Sequence, residues 1–108
     1  MDTLAPMWRD LMDAPTIRAD HCIVCGATFP LNQHHIVPRS AGKLYSPSGR
    51  EIVKPTITLC GYGNASGCHG KAHAGRLHFR YKGRLQYLET EPCDRLTALE
   101  KEGWRNAY

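Results

Sequence analysis

The chain has 108 residues, enough for one domain spanning 1–108 and too few for two independent cores. Ten glycines and seven prolines, against two Phe, two Trp and five Tyr, describe a loop-rich domain whose core needs a staple. The formal charge is +4 but uneven: from His21 to Leu88 the one acid, Glu51, faces Arg39, Lys43, Arg50, Lys54, Lys71, Arg76, Arg80, Lys82 and Arg84. A basic middle with acidic ends fits a polyanionic partner on one face. No apolar run is long enough for a secretory leader or a membrane span, so the expectation is a cytoplasmic protein with no membrane partner.

In chain order, Leu4 to Asp13 reads as a short amphipathic helix, with Pro6 in its first turn and Ala14-Pro15 ending it. Cys22-Ile-Val-Cys25-Gly26 is a knuckle turn: two intervening residues bring both sulfurs onto one ion, and Gly26 permits the tight backbone that follows. His34 to Val37 is expected as a strand stopped by Pro38, and residues 39–50 as a polar loop. Ile52 to Leu59 alternates apolar and polar residues and reads as a second strand, with Pro55 at an edge. After the Gly-rich loop 61–67, Cys68 to Ala74 reads as a helix closed by Gly75. His69 and His73, four apart, then face the same way. Arg76–Tyr81 and Arg84–Glu89, flanking Lys82-Gly83, are expected to form a basic β-hairpin. A last helix is expected over about 91–102, with Thr90 or Glu91 near its N-cap, Pro92 in its first turn, Gly103 after it, and Leu96 and Leu99 facing the core.

Chemistry concentrates in two sets of side chains. Cys22, Cys25, Cys60 and Cys68 suit a closed four-thiolate zinc site clipping the knuckle to the late helix. Paired spacing in a cytosolic chain favours metal over disulfides. Cys93 is left over as a small, partly buried side chain without a role. His34, His35, His69 and His73 pattern as a strand pair facing a helix pair, and suit a second, hard cation that does chemistry. Adjacent strand residues point to opposite faces. One of His34 and His35 is therefore expected to bind metal while its neighbour acts as a base, which an imidazole can do near neutral pH. His21 and His78 are expected only to make hydrogen bonds.

The run His34-His35-Ile36-Val37-Pro38-Arg39, followed by Thr58-Leu59-Cys60-Gly61 and Gly67-Cys68-His69-Gly70-x-x-His73, resembles the HNH endonucleases, most closely small zinc-containing phage-type members. The resemblance covers roughly residues 20–75. It implies an α+β fold with a ββα-metal core, a four-cysteine zinc knuckle behind it, and flanking N- and C-terminal helices with the basic hairpin. It further implies that His35 is the general base and that His34, His69 and His73 hold a catalytic divalent cation such as Mg²⁺ or Mn²⁺, with Zn²⁺ on the cysteines. The implied reaction is hydrolysis of DNA to 5′-phosphate and 3′-hydroxyl ends, in a phage, prophage or DNA-packaging setting. Where the family has its middle Asn, this chain has Pro55. A zinc-stapled nucleic-acid-binding module without turnover is therefore the competing expectation. Arg39, Lys71, Arg76, Arg80, Lys82 and Arg84 are the candidate phosphate contacts.

Overall fold

The computed structural model describes residues 10–11, 14–37, 44–45 and 48–107. It is an α+β protein of seven short strands and two short helices among the described residues. Most of the expected N-terminal helix lies outside the described residues, as do Pro38, Arg39 and Lys43; Asp10 and Leu11 form a 3₁₀ turn.

Strands β1 (Leu31–His35) and β4 (Thr56–Cys60) pair antiparallel, from Leu31 opposite Cys60 to His35 opposite Thr56. The first strand thus runs earlier than the expected 34–37. Ile36 and Val37 lie past its end, in a bend, and are buried. The other edge of β4 is covered by the segment that leads into the knuckle, where Ile17 and, within the knuckle, Ile23 donate backbone bonds to Thr56 and Thr58. Covered on both edges, β4 buries Ile57 and Leu59 completely. It also buries Thr58, whose hydroxyl accepts from the Ala19 N–H at 3.0 Å.

The single strand expected over 52–59 is split in two. β2 (Leu44–Tyr45) and β3 (Glu51–Ile52) form their own ribbon, and the chain leaves the ladder through Val53–Pro55 before β4 begins. Proline has no N–H to give a ladder, so the break falls where Pro55 stands.

Helix α1 (Gly67–His73) packs on β4, and Gly75, at φ 74°, ends it in the left-handed region that the sequence assigned to this glycine. The expected hairpin follows as β5 (Leu77–Tyr81) and β6 (Leu85–Glu89) around a Lys82-Gly83-Arg84 loop with Gly83 at φ 68°. A third strand that the sequence did not announce, β7 (Arg105–Asn106), pairs with β6.

The last helix is α2 (Arg95–Leu99), shorter and later than expected. Thr90 and Cys93 donate backbone bonds to Arg76 and Gly75, which straps the bend at 91–92 onto the start of β5. Neither Thr90 nor Glu91 can then cap. Asp94 does, accepting from the Thr97 N–H at 2.8 Å. The shift turns the helix: Arg95 and Ala98 are buried, and Leu96, expected in the core, is 51% exposed. One Arg95 Nη2 donates to both Asp10 carboxylate oxygens, at 2.8 and 2.9 Å, and to the Phe79 carbonyl at 3.0 Å. That contact ties the 3₁₀ turn, β5 and α2 together.

Candidate functional site

The four thiols of Cys22, Cys25, Cys60 and Cys68 lie within 4.8 Å of one another, and all are free. The Sγ atoms of Cys25 and Cys60 are 3.5 Å apart, far longer than a disulfide. With Zn–S bonds of about 2.3 Å, a tetrahedral ion places its sulfurs about 3.8 Å apart. The spacing therefore fits zinc, and these four residues are able to bind such an ion.

Local backbone builds the cluster. The Gly26 N–H bonds to the Cys22 carbonyl at 2.9 Å to close the knuckle, Cys60 ends β4, and Cys68 begins α1. The Cys68 N–H points at the Cys60 sulfur at 3.4 Å. Burial raises the Cys22 thiol, but backbone N–H groups at Cys25 and Val24 outweigh it and bring the pKa down to about 7. Cys68 is pushed up, first by burial and then by the charge of Cys22. One thiolate thus forms readily, while Cys25 and Cys68, both raised first by burial, are helped to ionise by a cation beside them.

The second group is His34, His69 and His73, whose ligand nitrogens also lie within 4.8 Å of one another. The Nε2 atoms of His69 and His73 are 3.1 Å apart, and the His34 ring sits 5.0 and 5.2 Å from theirs, edge to face. Metal–nitrogen bonds of about 2.0–2.1 Å place ligand nitrogens about 3.0–3.4 Å apart, which matches the 3.1 Å between His69 and His73. His69 is buried, and its Nδ1 has no hydrogen-bond partner among the described residues. Burial lowers the pKa of His69, weakly opposed by the Gly63 backbone. For His34, burial first and then His69, His73 and His35 bring the pKa down to about 3. His34 and His69 therefore offer unprotonated nitrogens, the form that binds metal.

The trio lines a cleft of about 660 Å³ together with His35, Asn64, Phe79 and Arg95. His35, the last residue of β1, is exposed at its rim. Sequence reasoning passed over Gln33, whose amide donates to Thr56 Oγ1 at 3.0 Å and to the Ile17 carbonyl at 3.3 Å. It crosslinks β1 to β4 beside the tandem histidines. Arg95 was also passed over; its partner Asp10 is 85 residues away, and no local signal marks the pair.

The candidate phosphate contacts are scattered. Arg76, Lys82 and Arg84 are exposed. Lys71 is paired with Glu89 at 3.0 Å. Arg80 bonds Gln86 at 2.7 Å and stacks on Trp104, 4.6 Å from the ring centre. Arg39 is outside the described residues.

These features define a small α+β protein with a four-cysteine cluster able to hold a metal ion and a cleft lined by histidines. Comparison with protein-family models, curated proteins and solved structures finds no match to the chain. No helix among the described residues is long and apolar enough to cross a membrane.

Proposed function

We propose that this chain is a metal-dependent DNA endonuclease of the HNH type, with β1, β4 and α1 as its ββα-metal core. The observation that carries the reading is the convergence of His34, His69 and His73, from a strand and a helix, on a cleft that His35 also lines. Phosphodiester hydrolysis needs an in-line water, a base for it, and positive charge at the phosphate. His35, unligated and open to solvent, takes the proton from water. His34, His69 and His73 hold the cation, and α1 fixes two of them one turn apart. Bound there, a divalent cation supplies charge that polarises the phosphoryl group and stabilises the leaving 3′ oxygen. The basic hairpin and neighbouring Lys and Arg hold the DNA backbone, and the cut leaves a 5′-phosphate and a 3′-hydroxyl.

The donor set refines the cation. Three imidazoles with no carboxylate suit a borderline transition ion, such as Mn²⁺, Ni²⁺ or Zn²⁺, more than the hard Mg²⁺ ion. Cys22, Cys25, Cys60 and Cys68 hold a separate structural zinc. A phage or prophage setting, inside the cell, goes with the same family resemblance.

The second reading, a zinc-stapled binding module without turnover, draws on Pro55, which offers no side-chain amide where the family has its Asn. Against it stands Gln33, whose amide already braces the two strands next to His34 and His35. The deciding experiment is relaxation of supercoiled plasmid with a panel of divalent ions. Wild type is expected to nick or cut, with Mn²⁺ or Ni²⁺ ahead of Mg²⁺. His35→Ala is expected to lower the rate about 10²- to 10⁴-fold while zinc content and melting stay unchanged. Equal cutting by both chains sinks His35 as the base; DNA binding without cutting by either establishes the module.

A further inference from the structure

Across the three-stranded sheet, one face of β5 (Leu77, Phe79, Tyr81) and its partners Leu85 and Tyr87 on β6 pack into the core. On the opposite face His78 and Leu88 are buried too, while Arg80 and Gln86 are half-buried and Asn106 is exposed, so that face opens at the end near the Lys82-Gly83-Arg84 loop. There Arg80 stands opposite Gln86, and Gln86 opposite Asn106, one residue from each strand. The three side chains form a directed chain: Arg80 Nε donates to Gln86 Oε1 at 2.7 Å, and Gln86 Nε2 donates to Asn106 Oδ1 at 3.2 Å. The Trp104 ring lies under the guanidinium carbon, 4.6 Å from it, its own indole N–H donating to the Lys101 carbonyl at 3.1 Å.

The direction of that chain decides what it offers. Gln86 spends its acceptor and a donor inside the ladder. Arg80 keeps its outer N–H groups at one end, and Asn106 Nδ2, without a partner among the described residues, stands at the other. Both ends are therefore donors, and the arginine plane is fixed by a stack and a bond before any ligand arrives. The adjoining loop adds exposed Lys82 and Arg84, and no acid occurs from Leu77 to Leu88. Glu89, at the far end of β6, is already spent on Lys71.

We infer that this outer sheet face is a docking surface for the phosphate backbone of B-form duplex DNA, with Arg80 as a preset phosphate fork and Gln86 and Trp104 as the residues that set it. It rests on the nucleic-acid reading above but is separate from the cleft. Single strands are disfavoured as the occupant because they need open aromatic faces for base stacking. Trp104 is committed to Arg80, and Tyr81 and Tyr87 pack against the core. Double-stranded RNA differs in its A-form phosphate spacing and 2′-hydroxyls, and the test below compares it directly.

The test is fluorescence anisotropy with a labelled 20-base-pair DNA, using the full zinc-loaded chain carrying His35→Ala so that the probe stays intact. Arg80→Gln is expected to weaken binding about tenfold and to reduce the slope of log K against log salt by about 0.9, the loss of one phosphate contact. Arg80→Lys keeps the charge and is expected to retain most of the slope while losing affinity. Asn106→Asp preserves the ladder but reverses the outer donor, and is expected to weaken binding with no change in melting. Unchanged affinity and slope in Arg80→Gln and Asn106→Asp, both folded, overturns the inference, as does equal or tighter Arg80-dependent binding of the single strand or of duplex RNA. Plasmid cutting by the wild-type chain is scored independently, so loss of the docking surface and loss of the nuclease reading give different results.

Discussion

His34 shows how far one side chain can be set by its surroundings. Half-buried beside α1 and facing two more imidazoles, it is held neutral to about pH 3. An unfolded chain protonates the same residue near the ordinary histidine value of about 6.5. Between those two values the unfolded state binds the extra proton and the folded state does not, so stability falls as pH is lowered through this window. With zinc on the cysteines and the histidine site left empty, the denaturation midpoint is therefore expected to drop from pH 7 to pH 4. His34→Gln, which cannot titrate, is expected to flatten the drop, measured by urea unfolding at matched pH. An identical pH slope in the two chains removes His34 as the cause. The same depression keeps protons from competing with a cation at this nitrogen, which is the property a metal ligand requires.

At the scale of elements, the loop between β4 and α1 carries the tightest constraint. Gly67 sits at φ 65°, and a Cβ there would lie 2.6 Å from the Cys60 carbonyl oxygen and 2.7 Å from Gly61 Cα. Those are backbone atoms that cannot step aside, and Gly67 immediately precedes Cys68. Gly83 has nearly the same φ, 68°, but opens onto free space. Gly67→Ala is accordingly expected to cost more than about 2 kcal/mol and to loosen the zinc cluster, whereas Gly83→Ala costs about 1 kcal/mol from backbone strain alone. Thermal melting with a zinc-release assay separates them, and similar losses at both positions refute the close-packing account. The contrast also shows what a sequence can reveal. The knuckle turn, α1 and the β5–β6 hairpin were legible because neighbouring residues carry their signals: Gly26, Gly75 and Gly83 sit at the turns, and helical spacing sets His69 four before His73. The grouping of Cys22, Cys25, Cys60 and Cys68 was legible from residue type and pairing. What stayed hidden depends on distant partners. Strand β7 exists only by pairing with β6, the start of α2 is fixed by the strap of 90–93 onto Gly75 and Arg76, and Arg95 finds Asp10 across almost the whole chain.

For the whole molecule, the question is what holds so little core together. Among the described residues the largest fully buried side chains are Leu11, Ile23, Ile57, Leu59, Val37 and Cys22, and three of the thirteen members of the central cluster are cysteines. The cysteine cluster joins the knuckle, the end of β4 and the start of α1, which are the same segments that carry the core. Structural zinc binding is worth about 10–16 kcal/mol in small zinc domains, comparable with or above the about 5–15 kcal/mol by which a domain of this kind is stable. Withdrawing the ion is therefore expected to unfold the chain rather than loosen it. Because Cys68 and His69 are consecutive on α1, the histidine cluster should dissolve with the cysteine cluster. Stripping zinc with a strong chelator under reducing conditions, then adding Co²⁺ in steps, reads both sites. The first equivalent is expected to give thiolate-to-cobalt absorption together with recovery of the circular dichroism, and only the second should bind through nitrogen. A stripped chain that keeps its full spectrum and melting temperature, or nitrogen-bound cobalt that appears before the thiolate band, shows instead that the histidine cleft folds without the cysteine cluster.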